Sequence, residues 1–411
     1  MRVERASRVL LVTAASAALF VAACGSGDPA GTPTATPSEA SPTPETSGSP
    51  ELGTPALPRD VGQWETRVPV PTARSEVAVA EMLGKIYVIG GFDESGVPTA
   101  RVEAYDPVTD EWNEVAPLPR PRQHAAAVGL DGKLYVVGGF EVGFDDPRDN
   151  LFVFDPASNT WDEKSPMPTA RGALAAAVVG GRIYAIAGVS GDGAANSDAV
   201  EVYEPLSDSW TGAAPIPTPR DHLAVGVADG KIYAVGGRTL SDFGRNLDAN
   251  EEYDPAIDVW IGRAPLPTAR SGIGAAVVDG LVYVVGGEGT EGTFDKNEAY
   301  DSASDSWKTL PPLPTARHGM GAAAVAGAVY VPAGGPLAGL SVTSANEVFV
   351  PYVAALSRSP VEGATVPAKR LPSSTPLLAT STRQFSSSGA LTASSVKLMM
   401  TARRSPSASR T

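Results

Sequence analysis

One cysteine, three histidines and a charged fraction of 19% in 411 residues leave few side chains for the commoner kinds of catalysis. The single thiol, Cys24, has no partner within the chain, so the fold must stand on packing and hydrogen bonds rather than on disulfides. Long apolar runs are scarce too. After Val9–Ala23 no stretch approaches the ~20 apolar residues that a membrane-spanning helix needs. Basic residues are in deficit, 32 against 46 acidic, and the deficit is uneven. Residues 1–24 hold three Arg and one Glu, and residues 353–411 hold eight basic residues and Glu362, which leaves 21 basic against 44 acidic for 25–352. A body of charge −23 repels nucleic acid and anionic membrane surfaces, so no nucleic-acid partner is expected. Nucleophile elbows, phosphate loops and metal-ligand motifs are missing as well, and no cofactor is expected. What is plentiful is Gly (43) and Pro (37), the composition of a turn-dense all-β chain.

Six tryptophans, Trp64, Trp112, Trp161, Trp210, Trp260 and Trp307, recur 48, 49, 49, 50 and 47 residues apart. An arginine follows each by ten residues: Arg74, Arg122, Arg171, Arg220, Arg270 and Arg317. One sheet-forming unit is therefore built six times. It opens with Pro-x-Pro-x-x-Arg, as in Pro166–Arg171, and runs into a small-residue strand A, read as Ala173–Val179 in that copy. A two-residue turn such as Asp131-Gly132 or Asp229-Gly230 suits a tight hairpin, because both residues tolerate positive φ. Strand B carries a tyrosine (Tyr87, Tyr135, Tyr184, Tyr233, Tyr283, Tyr330) and ends in Gly-Gly or Ala-Gly. Strand C carries Glu-x-Tyr-Asp-Pro or a relative, and strand D the Trp, which is expected between neighbouring units.

The Gly-Gly doublet, the strand-C Tyr and the Trp, in six copies over 64–352, resemble the kelch repeat. That resemblance implies an all-β, six-bladed propeller of four-stranded antiparallel blades. Departures are mild: Phe154 and Phe349 replace Tyr, Ser302 replaces Pro, and Pro332 sits late in the last strand B. The first element is a lone strand D around Trp64, whereas the last copy supplies A, B and C without a Trp after them. The N-terminal strand is therefore expected to complete the last blade and lock the ring.

Outside the repeats, Arg2, Arg5 and Arg8 before the apolar run form an export signal over 1–23. Val21-Ala22-Ala23-Cys24 resembles the lipobox of bacterial lipoproteins, which implies lipidation of Cys24 and anchoring to a membrane; an ordinary cleavage site beside a chance cysteine is the other reading. Residues 24–58 read as a Pro/Thr/Ser-rich stalk and 59–352 as the propeller. The basic, Ser/Ala-rich stretch 353–411 reads as a disordered tail, with a remnant domain or a frame error as alternatives.

In kelch propellers the D–A and B–C connections share one face, and the unequal B–C spans make that face the candidate ligand surface. They carry Phe92, Phe140, Phe144, Phe243 and Phe294 among acids that include Glu141, Asp242 and Glu288, which suits sugars or peptides with cationic groups if the rings do not simply pack the loops. The six repeat arginines enter from this face. Each can pair with a strand-C glutamate (Glu103, Glu201, Glu251, Glu298, Glu347) or, as the resemblance to kelch substrate adaptors implies, bind acidic peptides. Blade two has Phe152 in place of that Glu, so Arg122 is expected to be free, and Arg238 is a further, non-repeated candidate. His124, His222 and His318 fall in blades two, four and six. Strand alternation should turn His318 away from the other two, and alternate blades should stand too far apart for metal bonds of ~2 Å, so no metal is expected. Kelch-like galactose oxidase needs a tyrosine linked to cysteine, which Cys24 cannot supply. The expectation is a membrane-anchored binding module for a glycan or protein. A sugar mutarotase acting by acid–base catalysis near the axis, which the likeness to exported sialic-acid mutarotases suggests, and a structural cell-envelope protein are the alternatives.

Overall fold

A computed structural model describes residues 62–191 and 195–351. The stalk, Cys24 and the tail lie outside the described residues. Six four-stranded antiparallel sheets follow one another along the chain. Blade one comprises strands A (Ala78–Met82), B (Lys85–Ile89), C (Val102–Asp106) and D (Glu111–Glu114). Blades two to five repeat this order from Ala126, Ala175, Ala224 and Gly274. Blade six draws strands A to C from Ala323–Val325, Ala328–Pro332 and Asn346–Val350, and takes its strand D from Gln63–Thr66. Gln63 pairs with Val350 and Thr66 with Glu347, so the first strand completes the last sheet. The fold is the six-bladed propeller that the repeat pattern implies.

The A–B hairpins turn as their sequences require: φ is 50° and 71° at Asp131-Gly132, and 51° and 73° at Asp229-Gly230. Strand A starts later than expected, at Ala175 rather than Ala173 in blade three. The residue two after each repeat Arg takes positive φ, from 52° to 63°, at Glu76, His124, Ala173, His222, Gly272 and Gly319, and this breaks the strand.

Blades are joined by three repeated devices. The strand-B tyrosine of each blade meets the strand-C aromatic of the next, and the circuit closes where Tyr330 of blade six lies 6.0 Å from Tyr105 of blade one. The second glycine after strand B donates to the carbonyl of the next blade's repeat Arg, from Gly91 to Arg122 (2.7 Å) around to Gly334 and Arg74 (2.8 Å). Close approach favours glycine at the preceding position in four blades, since a Cβ at Gly90 would sit 2.2 Å from the Arg122 carbonyl oxygen, while Ala187 and Ala333 hold that position in blades three and six. Each Trp Nε1 donates to a carbonyl in the link that enters its own blade, as Trp161 does to Ala116 (2.8 Å) and Trp64 to Pro311 (2.9 Å). The indoles are half-buried rather than enclosed, because strand D is the outermost of each blade.

Candidate functional site

The repeat arginines are structural. Five are 0% exposed and Arg122 is 1% exposed, so none can reach a ligand on the surface. Arg74, Arg171, Arg220, Arg270 and Arg317 each bond the strand-C glutamate of their own blade, at 2.6 Å for Arg74 and Glu103 and 2.5 Å for Arg220 and Glu251. The same glutamates accept the threonine hydroxyl two residues before the Arg, as Glu103 does from Thr72 (2.8 Å). Arg74 also donates to the carbonyls of Val88 and Gly90, tying the end of strand B to the blade entry. Arg122 is not free either. Blade two replaces both partners together, Thr by Arg120 and Glu by Phe152. Arg122 compensates by lying 5.3 Å over the Phe152 ring and donating to Asn150 Oδ1 (2.6 Å) and the Pro121 carbonyl (2.8 Å).

With the arginines removed from the ligand surface, the face is defined by repeat positions that vary between blades. The positive-φ residues form a backbone ring about the axis: His124 N–H donates to Glu76, Ala173 to His124, His222 to Ala173, Gly272 to His222, Gly319 to Gly272 and Val77 to Gly319, at 2.9–3.2 Å. This ring stands at one mouth of an axial cavity of about 150 Å3, whose walls are the stretches that lead into the six strands A, ending at Ala322 in blade six. Its side chains are Glu, His, Ala, His, Gly and Gly in blade order. The small residues give the large ones room: a Cβ at Gly319 would lie 2.5 Å from Glu76 Oε1. Around the ring sits a second variable set, the residue after each Gly-Gly or Ala-Gly pair: Phe92, Phe140, Val189, Arg238, Glu288 and Gly335.

The mouth is consequently two-sided. On the side of blades one and two, Phe92, Phe140 and Phe144 surround the His124 ring at centroid distances of 5.4–6.1 Å. Phe92 and Phe140 are buried loop packing, while Phe144 is 55% exposed. On the side of blades four to six, Arg238 bonds Glu288 Oε1 (2.6 Å), contacts His222 Nε2 (2.9 Å) and lies 4.7 Å over Phe243. Asp221 Oδ1 holds His222 Nδ1 at 2.5 Å. Phe294, the last of the five loop phenylalanines, is half-buried.

The three histidines converge despite their blade spacing. His124 and His222, two blades apart, have ring centroids separated by only 4.8 Å, because the positive-φ turn carries both side chains to the axis. His318 is one position out of register, yet its Nε2 lies 3.3 Å from Glu76 Oε1 and 3.4 Å from Glu288 Oε2. Glu76 Oε2 in turn faces His124 Nε2 at 3.0 Å. His124 and His222 thus meet, against the expectation that alternate blades stand too far apart, because neither lies on regular alternating strand, while His318 faces Glu288 and the other side of Glu76. Burial alone would raise the Glu76 carboxyl, but the charge and hydrogen bonds of His124 and His318 outweigh it and hold it well below the usual carboxylate range. Burial likewise opposes the charged form of His318, and the Glu76 hydrogen bond and charge, with Glu288, turn the shift upward. At His222, burial and the Arg238 charge push the imidazole down.

Sequence reasoning missed Glu76 and Asp221 and treated Glu288 as a loop acid. The signal was available in the alignment of the six copies: in a strict repeat, a column that changes chemistry from blade to blade marks a position the fold does not dictate.

Comparison with known families agrees with this architecture. Residues 59–237 match the KLHDC2/KLHL20/DRC7 Kelch-repeats domain, and residues 219–267 and 269–314 match the Kelch motif. The chain belongs to the kelch-repeat family. Kelch-like protein 35 of Mus musculus is 45% identical over 47 residues, which are 11% of this chain and 8% of that protein. The chain thus spans less than a tenth of that curated relative's length. Among solved structures, the one titled "Structure of YjhT" superposes with a TM-score of 0.60 at 17% identity, covering 68% of this chain and 95% of that one, a likeness of kelch fold alone.

Proposed function

We propose that this kelch propeller is a binding module that receives a glycan or protein ligand at the axial mouth. Kelch repeats support an interaction module in general, and the division of the mouth carries the finer reading: exposed Phe144 over an aromatic wall on one side, Arg238 and His222 on the other, with buried Glu288 holding Arg238 in place. An aromatic face beside fixed donors and acceptors suits a sugar ring, whose C–H face stacks while its hydroxyls bond, or a peptide side chain of similar character. Membrane attachment through Cys24, which would display the module outside the cytoplasm, belongs to the same proposal. The test is the full chain on glycan and peptide arrays, followed by titration of the best hit. Phe144→Ser should weaken that hit by about tenfold or more, about 1.4 kcal/mol. Binding untouched by this change would move the ligand away from the mouth.

A second reading is favoured by one contact. Asp221 fixes the His222 Nδ1 as a donor and leaves Nε2 as the ring's acceptor, held by Arg238 at 2.9 Å; a ligand that displaced Arg238 would meet Nε2 in the position of a general base. On that reading the protein opens and closes sugar rings as a mutarotase, and NMR would show anomer exchange accelerated by the wild type and lost in His222→Ala. Neither binding nor exchange would leave a structural envelope role.

A further inference from the structure

We propose that Glu76, His124 and His222 bind one divalent first-row transition-metal ion on the propeller axis. The three occupy equivalent positions in blades one, two and four, and their ligand atoms lie within 4.8 Å of one another. Metal bonds of ~2.0–2.2 Å hold ligand atoms ~3.3–3.5 Å apart, so side-chain shifts of about an ångström complete the site. The remaining equivalent positions, Ala173, Gly272 and Gly319, are small, and leave the ion's other coordination positions open toward the axial cavity.

The imidazoles are oriented from behind. Asp221 Oδ1 accepts from His222 Nδ1 at 2.5 Å, and Gln123 Oε1 faces His124 Nδ1. The Gln123 amide cannot be reversed without loss, because its Nε2 donates to the Gly143 carbonyl at 2.6 Å. A proton on each Nδ1 leaves each Nε2 lone pair for a metal, the outer-shell pattern that ligating histidines show. His124 Nε2 then meets the Glu76 carboxylate at 3.0 Å, lone pair against lone pair, unless a proton or a metal cation stands between them. The surrounding charge favours a cation, with the carboxylates of Glu76, Asp221 and Glu288 against the guanidinium of Arg238 and the His318 imidazole. Metal uptake exchanges the Arg238 contact to His222 Nε2, and Arg238 keeps Glu288 and Phe243. Two imidazoles and one carboxylate select zinc, cobalt, nickel or iron over calcium or magnesium.

The second grouping, Glu76, Glu288 and His318, is equally tight. It is enclosed, with His318 0% exposed and Glu288 1%, and has no open side for a further ligand. This proposal is independent of which ligand enters the mouth, since it is read from metal binding alone.

The experiment uses the full chain, purified without a histidine tag and stripped of metal, titrated with ZnCl2 by calorimetry and with CoCl2 by its visible d–d bands. One saturable equivalent is expected. His124→Gln and His222→Gln should each weaken it by about tenfold or more, and His318→Gln by less than about threefold. Absence of saturable binding, or loss in His318→Gln with binding kept in the other two, overturns the assignment. Because any of these variants could misfold, wild-type crystals soaked in ZnCl2 give a second reading. An anomalous peak at the zinc edge should touch Glu76, His124 and His222, and a peak elsewhere or none overturns the proposal as well.

Discussion

Tyr105 donates its hydroxyl to Asp110 Oδ1 at 2.6 Å, and the same oxygen accepts the backbone N–H of Val68, in the link that enters the blade, at 3.1 Å. Tyr203 and Asp208, Tyr253 and Asp258, and Tyr300 and Asp305 repeat the pair. Blade two changes both members, to Phe154 and Asn159, and Asn159 Oδ1 still takes the Ala116 N–H at 2.9 Å. In blade six, strand D comes from the other end of the propeller and strand C carries Phe349 in place of the Tyr, so the hydroxyl bond is missing there; the ring still packs on Trp64 at 5.2 Å, as the strand-C aromatic packs on the Trp of the other five blades.

This coupling is measurable. Tyr105→Phe leaves Asp110 its backbone partner and should cost about 1 kcal/mol in urea unfolding, whereas Asp110→Ala strips both bonds and should cost about twice that. In blade two, Asn159→Asp alone should gain little, while Phe154→Tyr with Asn159→Asp should recover the missing bond. A double change worth no more than the sum of Phe154→Tyr and Asn159→Asp measured singly would show that the two positions act independently.

The buried arginine–glutamate pairs act through the fold. Arg220→Met strands the Glu251 carboxylate, 7% exposed, and should destabilise by about 3–5 kcal/mol. Arg220→Met with Glu251→Met should restore most of that, because removing both charges also removes their desolvation cost. Unfolding curves of the three proteins decide it. A single variant as stable as wild type would return the arginine to the list of ligand groups.

Ring closure rests on four residues. Deleting Gln63–Thr66 removes the outer strand of blade six together with the Trp64 bond to Pro311. The expected loss is about 3 kcal/mol or more, with melting lowered by about 2–4 °C per kcal/mol. An unchanged melting curve would falsify the closure as a source of stability.

The axial histidines should titrate against each other. His318, raised above its ordinary 6.5, contributes stability that is full below pH 6.5 and lost as pH rises through its folded value. His222, lowered, penalises the fold below pH 6.5, where the unfolded chain takes up a proton that the folded site refuses. Glu76, lowered, contributes above the ordinary carboxylate range and fails as pH falls through its own folded value. The stability difference between wild type and His318→Gln should therefore shrink above pH 6.5, and that between wild type and His222→Gln should move against the wild type below it. Side-chain nitrogen NMR of both rings gives the same test directly.

Anchoring has its own assay. Cells fed a clickable fatty acid should label the wild-type chain and not Cys24→Ala, and the variant should leave the membrane fraction. Labelling retained in Cys24→Ala would place the acyl chain elsewhere.

The repeat period, the hairpin turns and the join between Gln63–Thr66 and Asn346–Val350 were legible in the chain, because each depends on spacing and on residues that tolerate one backbone geometry. The pairing of Arg with the strand-C Glu was legible too, as a repeated pair of opposite charges. The axial site was not. Its members are far apart in sequence, and the turn that gathers them uses positive φ at Glu76, His124 and His222, where no glycine announces it. Arg122 misled for a related reason: a missing carboxylate predicts a free cation only if nothing else can satisfy it, and Asn150 and Phe152 do so here through contacts that only packing creates. Sequence by itself determined how many blades there are and how the circle closes, since those follow from local periodicity; tertiary structure decided which side chains meet at the centre, since six strand entries converge there whatever their separation along the chain.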